Sequence, residues 1–417
     1  MSKPLLSIFL IVLVDVFALT LVIPLLAIYA ETFGASPLVA TLLVSTFSAC
    51  QLVSGPILGR LSDRYGRKPL LLISQAGTFV GLLLMAGAHS LAVLFVARVL
   101  DGATAGNLSL AQAYISDNTP PEKRTRAFAV IGIAFGVGFF LGPWITGYLA
   151  GYGLQAPILL AAGLSLTSIL CTALLLPHQA PPKGSSSRVD NRGAAAALAT
   201  DNRRAAAAHA IGGRIEGLRS RPVLWGLWAQ FFLFSVAFAL FTSGFALFAE
   251  RRLTYQGRPF GPREVGYLFA YSGFLGILLQ GGLIGRLVKR LGEVKLSRMG
   301  FAAAALAYLG ISRVTTIPWL LVCAGLSAFG NGLLRPVLTG RVSQAAGPAE
   351  QGEVLGVNQS LASLASVLAP PLGGFLLSHR LLSTWALFAA GVALGGLVLA
   401  LRPQLAPGVA GDRQPRR

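Results

Sequence analysis

Charge is scarce in this sequence. Asp, Glu, Lys and Arg make up 12% of its 417 residues, about half the share carried by a soluble globular chain. Histidine occurs four times and cysteine three times, as Cys50, Cys171 and Cys323, each inside an apolar stretch. That placement excludes a disulfide framework and a thiolate metal site, and it reads the thiols as small buried side chains. The sequence has no His/Cys cluster, nucleophile elbow or phosphate-binding glycine loop, so nothing in it supports an enzyme or a resident cofactor.

Hydrophobic residues fill the gap. They form 54% of the chain and give a mean hydropathy of +0.69. They come in blocks of about 20, the length at which a helix rising 1.5 Å per residue crosses ~30 Å of hydrocarbon. The pattern predicts an all-α polytopic membrane protein, because a soluble core would not need nearly every block to be long enough to span. Lys3 precedes an apolar stretch from Leu5 to Ala30. It is too long for the apolar part of a signal peptide and carries Asp15, so it reads as the first span.

Twelve spans can be placed. The first six are Leu5–Ala30, Pro37–Leu58, Pro69–Ala88, Leu91–Ile115, Ala127–Gly151 and Ala156–Leu176. The second six are Pro222–Ala249, Val265–Ile284, Leu296–Ile311, Pro318–Thr339, Val354–Leu377 and Leu382–Leu401. Between the sets, Pro177–Arg221 holds a Pro-Pro pair, a serine run and the alanine tracts Ala194–Ala199 and Ala205–Ala210. The chain thus divides into a six-helix bundle over 1–177, a linker over 178–221, a second bundle over 222–402 and a tail over 403–417. The linker reads as a flexible tether followed by a surface helix.

The two sets look duplicated. Gly59-Arg60-Leu61-Ser62-Asp63-Arg64-Tyr65-Gly66 returns as Gly285-Arg286-Leu287-Val288-Lys289-Arg290-Leu291-Gly292, and Pro143 and Gly147 return as Pro370 and Gly374. A duplicated six-helix unit places a substrate site between its halves. The net charge of +19 would point to nucleic acid in a soluble protein. Here most basic residues fall on one side of the predicted spans: Lys3, Arg60–Lys68, Lys123–Arg126, the linker, Arg286–Lys295, Arg341 and the tail. The positive-inside rule then predicts a multi-pass protein of the cell (inner) membrane with both termini cytoplasmic, and no nucleic-acid partner. Glu250–Glu264 breaks the pattern, with Arg251, Arg252, Arg258 and Arg263 on the predicted external side.

Several motifs sit at defined places on these spans. The loop Gly59-x-Leu61-Ser62-Asp63-Arg64-x-Gly66-Arg67-Lys68 is a tight basic turn whose glycines let helix ends approach. Its Asp63 suits a latch against a helix N-terminus or an arginine. Arg98-x-x-Asp101-Gly102 lies in span four, and Gly138-x-x-x-Gly142-Pro143-x-x-x-Gly147, with Thr146, lies in span five. Together with Asp15, Pro24, Asp117, Arg124, Arg126 and Phe128, these residues resemble the major facilitator superfamily, and within it the tetracycline-efflux-like drug:proton antiporter branch. Gln280, Arg290-Leu291-Gly292-Glu293 and Gln351-Gly352 extend the likeness into the second half. The resemblance implies a major facilitator fold of two pseudo-symmetric six-helix halves. It implies a cytoplasmic gating motif at Gly59, Asp63, Arg64, Gly66, Arg67, Asp117, Arg124 and Arg126. It also implies an exporter motif that packs helices at Gly138, Gly142, Pro143 and Gly147. The acids in spans three and nine and the histidine in span eight of tetracycline efflux proteins have no counterpart: Leu70–Ala88 and Phe301–Leu309 read as apolar or small.

Ionisable groups at membrane depth carry the chemistry, since burying one costs at least ~2.5 kcal/mol. Asp15 lies ~15 Å into span one. Arg98 and Asp101 are three apart and share a face. On a continuous helix Gln112 falls within ~40° of Arg98. Asn331 and Arg335 are four apart in span ten, and Gln230 lies in span seven. Plainer readings exist for most: an intrahelical ion pair for Arg98 and Asp101, snorkelling for Arg335, a helix-facing hydrogen bond for Gln230. The resemblance implies that spans one, four, seven and ten line the central cavity, where this polar stripe belongs.

The expected function is proton-coupled efflux of a small amphipathic or hydrophobic organic compound by alternating access, with Asp15 as the proton carrier. Its partners are that substrate and the lipid bilayer, the chain is monomeric, and it needs no cofactor beyond the proton gradient. The alternatives are proton-coupled nutrient uptake on the same fold and, more remotely, a non-transporting membrane receptor.

Overall fold

The computed structural model describes residues 3–118, 121–176, 222–346 and 351–402, with side chains described except at 3–8, 23–24, 116–133, 135 and 351–353. The linker at 178–221 and the tail at 403–417 lie outside the described residues. The first half contains α1 (Lys3–Glu31), α2 (Pro37–Tyr65), α3 (Arg67–Ala86), α4 (Leu91–Ala103), α5 (Asn107–Asn118), α6 (Pro121–Leu149) and α7 (Gln155–Leu175). The second half opens with α8 (Pro222–Arg252) and a hairpin of β1 (Thr254–Tyr255) and β2 (Arg258–Pro259). A π turn at Leu279–Leu283 joins α9 (Pro262–Leu278) to α10 (Ile284–Leu291). Then come α11 (Glu293–Ile311), α12 (Ile317–Ala345), α13 (Gln351–Ser378) and α14 (Leu382–Leu401).

Each of the predicted spans has helix on it. Among the described residues, 10 helical segments are long and apolar enough to cross a membrane, and α1 makes an eleventh when counted across its 40° bend. Pro24 lies in that bend, where a proline removes a backbone donor and weakens the helix. The fifth span is covered by α6, 29 residues long.

Packing repeats as the sequence does. In the first half α1 packs on α6 and α7, α3 on α4 and α7, and α2 on α4. In the second half α8 packs on α13 and α14, α11 on α12 and α14, and α9 on α12. The duplicated loop repeats too: Gly66 (φ +95°) and Gly292 (φ +74°) each turn the chain between consecutive helices in a conformation that L side chains resist.

Span four differs from the expected single helix. It breaks at residues 104–106 into α4 and α5. Gly102 and Gly106 weaken the helix there, and Ser74 of α3 satisfies the backbone groups that the break exposes. Its hydroxyl donates to the Thr104 carbonyl and accepts from the Gly106 amide at 2.9 Å. The angular step from Arg98 to Gln112 therefore no longer holds.

The halves meet along α2–α13 and α6–α9, and α1 touches α8. One face carries the ends of α7 and α8 that border the linker; the opposite, far face carries the α1–α2 turn and the hairpin. Near the far face Leu38 donates its amide to Ser378 Oγ at 3.0 Å, and Gly374 lies against Thr41 and the Pro37 carbonyl. Toward the linker face, Gly55 and Gly59 of α2 and Gly276, Gly281 and Gly282 along the α9 rod meet nothing within 4 Å of where a Cβ would stand. Among the described residues these contacts hold the halves together at the far face.

Candidate functional site

The first half gathers the charged groups. Asp15, half-buried on α1, stands beside Ser168 of α7 and Asn107 of α5, two neutral side chains able to donate to it. Ser168 Oγ in turn accepts from Gln75 Nε2 of α3 at 2.7 Å, and Gln75 is fully buried. Asn107 is the first residue of α5, so the break in span four also brings a helix N-terminus, with its partial positive charge, beside the carboxylate. Asp101 is close enough to interact electrostatically with Asp15. Asp101 is held in turn by Arg98 Nη2 at 2.8 Å and by Thr78, and the Arg98 guanidinium lies 5.4 Å from the Phe47 ring centre. The arrangement sets a fixed, neutralised ion pair beside a carboxylate whose partners are all neutral, which is a place for a movable proton.

Of the other expected cavity residues, Gln112 is exposed on α5. Asn331 is tied into its own half, donating to Ser327 Oγ at 3.0 Å and to Tyr308 Oη at 3.2 Å. Arg335 is exposed one turn further along α12. Gln230 is fully buried, and neither of its amide atoms has a hydrogen-bond partner among the described residues. The helix-facing hydrogen bond expected for it is absent there. Asn358 of α13 is in the same condition. The surrounding core of the second half is aromatic, with Phe248 and Trp385 at 5.1 Å and Phe241 and Tyr308 at 5.3 Å.

The α2–α3 loop pairs charges within itself and also reaches α7. Asp63 pairs with Arg67 at 2.7 Å, with the acid 58% and the arginine 14% exposed. Arg64 stacks over Tyr65, and Lys68 donates to the Ala173 and Leu176 carbonyls at the end of α7. Gly59 stands in open space and Gly66 makes the turn. The side chains of Asp117, Arg124 and Arg126 lie outside the described ones.

The glycine motif of α6 serves two neighbours at once. Gly138 and Gly142 leave room for Val16 and Thr20 of α1, and Thr20 Oγ1 donates to the Gly138 carbonyl at 3.0 Å. Thr146, standing where the exporter pattern has glycine, donates to the Leu21 carbonyl at 2.8 Å. On the adjoining side Pro143 and Gly147 lie against Gly266 of α9, in the other half. The motif is thus a packing device that binds α6 to α1 and carries the contact across to α9.

Sequence reading passed over the residues around these groups. Gln75, Ser168 and Asn107 are uncharged polar residues in apolar blocks, and reading Leu70–Ala88 as apolar or small hid the first of them. The far-face pair was missed as well. Arg251 of α8 forms an ion pair with Glu31 of α1 and lies 3.7 Å from Glu250, while Arg252 Nε donates to the Val314 carbonyl at 3.2 Å. Half of the anomalous arginine cluster is thereby explained: Arg251 clasps one half to the other.

Comparison with known proteins gives a consistent result. The family model of the Major Facilitator Superfamily matches residues 8–312 and again 260–416. The chain is 29% identical to the class D tetracycline resistance protein of Salmonella ordonez, over 96% of each chain. It is 26% identical to Multidrug resistance protein 2 of Bacillus subtilis (strain 168), over 95% of this chain and 94% of that one. Among solved structures, the human organic anion transporter MFSD10 (TETRAN) superposes with a TM-score of 0.67 at 22% identity, over 95% of this chain and 99% of that one. At that identity the likeness speaks to the fold.

Proposed function

This chain belongs to the Major Facilitator Superfamily, in its drug:proton antiporter branch, and we propose that it exports a small amphipathic or hydrophobic organic compound in exchange for protons. The observation that carries the reading is Asp15. It is an acid at membrane depth whose neighbours are hydrogen-bond donors rather than a counter-ion. Burial favours its neutral form, whereas Ser168, Asn107 and the start of α5 favour the carboxylate. Opposed terms of that kind let a proton be taken up and released as the surroundings alternate. Arg98 stays charged in every state and is matched by Asp101, so that pair sets a constant field.

The cycle starts from the far face held closed by the Leu38–Ser378 and Glu31–Arg251 contacts. With the linker face open, substrate enters as Asp15 loses its proton, and a cationic substrate favours that loss. Reversal then requires the Glu31–Arg251 clasp to break and the α2–α3 loop to rearrange. With the far face open, a proton from outside returns to Asp15 and releases the substrate. On this reading the linker face and both termini are cytoplasmic, the membrane is the cell (inner) membrane, the chain works as a monomer, and two acids at depth limit exchange to two protons per cycle. The multidrug and tetracycline resistance names of the relatives support a hydrophobic organic substrate and export as its direction. Everted vesicles acidified inside, offered a panel of lipophilic cations, sugars and peptides, test the proposal. Accumulation of a lipophilic compound, abolished by a protonophore, is expected; no such accumulation, with a preloaded sugar or peptide driven out of the vesicles along with the proton, would replace export by uptake.

A further inference from the structure

Two arginines of the far-face cluster, Arg258 and Arg263, remain exposed, against the rule that disfavours basic residues there. Arg263 stacks over Tyr267 at 5.8 Å and its Nε donates to the Tyr267 hydroxyl at 3.4 Å. The adjacent acid Glu264 is already engaged, accepting from the Gly261 amide at 2.9 Å. Tyr267 also borders an open groove of about 540 Å³ lined by Phe140 and Trp144 of α6 and by Tyr267, Ala270, Tyr271 and Phe274 of α9.

This groove faces lipid, not the transport path. Phe140 and Trp144 lie on the side of α6 turned away from Gly138, Gly142 and Thr146, which pack on α1. On α9 the lining residues stand opposite Phe269, which packs inward on Phe241 and Phe245 of α8. Trp144, Tyr267 and Phe274 are correspondingly exposed. From Tyr267 to Phe274 the groove descends ~10 Å at 1.5 Å per residue, about two thirds of the ~15 Å of one hydrocarbon leaflet. It therefore has a cationic mouth at headgroup level and an aromatic wall along the headgroup-proximal part of an acyl chain.

We propose that this groove is a binding site for an anionic phospholipid of the far-face leaflet, with its phosphate on Arg263 and an acyl chain between α6 and α9. A chain seated there lies on the very seam where Pro143 and Gly147 meet Gly266, so the bound lipid would brace the closed far face. The basic cluster then has a purpose that orientation in the membrane denies it.

Native mass spectrometry tests this on the full-length chain, purified with equal amounts of phosphatidylglycerol and phosphatidylcholine. Wild type is expected to retain phosphatidylglycerol at least fivefold better. Arg263→Gln should lose that preference by about fivefold, the worth of one basic residue at a bilayer surface, and Arg263→Lys should keep most of it. Phe274→Ala, at an exposed position, should weaken both lipids alike. Millimolar inorganic phosphate should leave the lipid in place. An unchanged preference in Arg263→Gln would overturn the proposal. So would displacement of the lipid by phosphate alone, which would make this a phosphate site, or by the transported compound, which would make it a substrate site.

Discussion

Asp15, Arg98 and Asp101 were conspicuous as sequence because a charge inside an apolar block has no cheap explanation. What decides their roles is conspicuous only in three dimensions. Arg98 and Asp101 neutralise each other at 2.8 Å, and Asp15 leans on neutral donors from two other helices. The pair behaves as a unit, so Arg98→Leu should destabilise the protein by ~3–5 kcal/mol by leaving a buried acid uncompensated. The double variant with Asp101→Leu should recover most of that in thermal unfolding. Equal losses in the single and double variants would show that the pair is not a unit. Gln75→Leu removes the donor behind Ser168, a bond worth ~1 kcal/mol. It should cut pH-driven transport roughly fivefold at unchanged protein level, and transport at the wild-type rate would place Gln75 outside the proton path. Gln75, Ser168 and Asn107 could not be read from the sequence because amides and hydroxyls are common in spans and their meeting depends on which helices pack together.

At the scale of elements, the duplicated turns, the span positions and the glycine motif of α6 were all legible, since length, hydropathy and glycine spacing record them directly. The break in span four was not. Small residues such as Gly102, Thr104 and Gly106 also occur in unbroken spans, and the residue that holds the break open, Ser74, belongs to another helix. Ser74→Ala should therefore cost ~1–3 kcal/mol by stranding buried backbone groups at Thr104 and Gly106, an effect read from the midpoint of thermal unfolding. A variant as stable as wild type would mean that the break holds itself. The packing role of α6 predicts that Gly142→Val, which drives a side chain into Thr20, costs ~1–3 kcal/mol through overpacking and slows transport. Asp63, exposed and paired only within its loop in this conformation, should matter for the cycle and not for binding. Asp63→Asn is expected to slow transport while substrate affinity stays within a few-fold, and a loss of affinity with a normal cycle would move the loop into the binding site.

The whole molecule is asymmetric in chemistry although symmetric in fold. Acids at depth gather in the first half, whereas the second offers an aromatic core and the buried amides of Gln230 and Asn358. Proton and substrate can then be handled by different halves and coupled through the seam between them. The sequence announced the repeat but not the state of the seam, because the contacts that close it join residues far apart in the chain, such as Glu31 and Arg251. An exposed pair of this kind is worth ~0.2–1 kcal/mol, so Arg251→Gln should raise the far-face-open population about two- to fivefold. Spin labels at Ser36 and Arg380 would report that change as a longer distance.

Coupling itself is tested most directly on Asp15→Asn in sealed vesicles, with one preparation followed in two modes. The variant is expected to lose accumulation driven by a pH gradient while keeping exchange of labelled for unlabelled substrate down no gradient, since the path remains and only the proton carrier is gone. Full pH-driven accumulation by a correctly inserted Asp15→Asn protein would contradict the account.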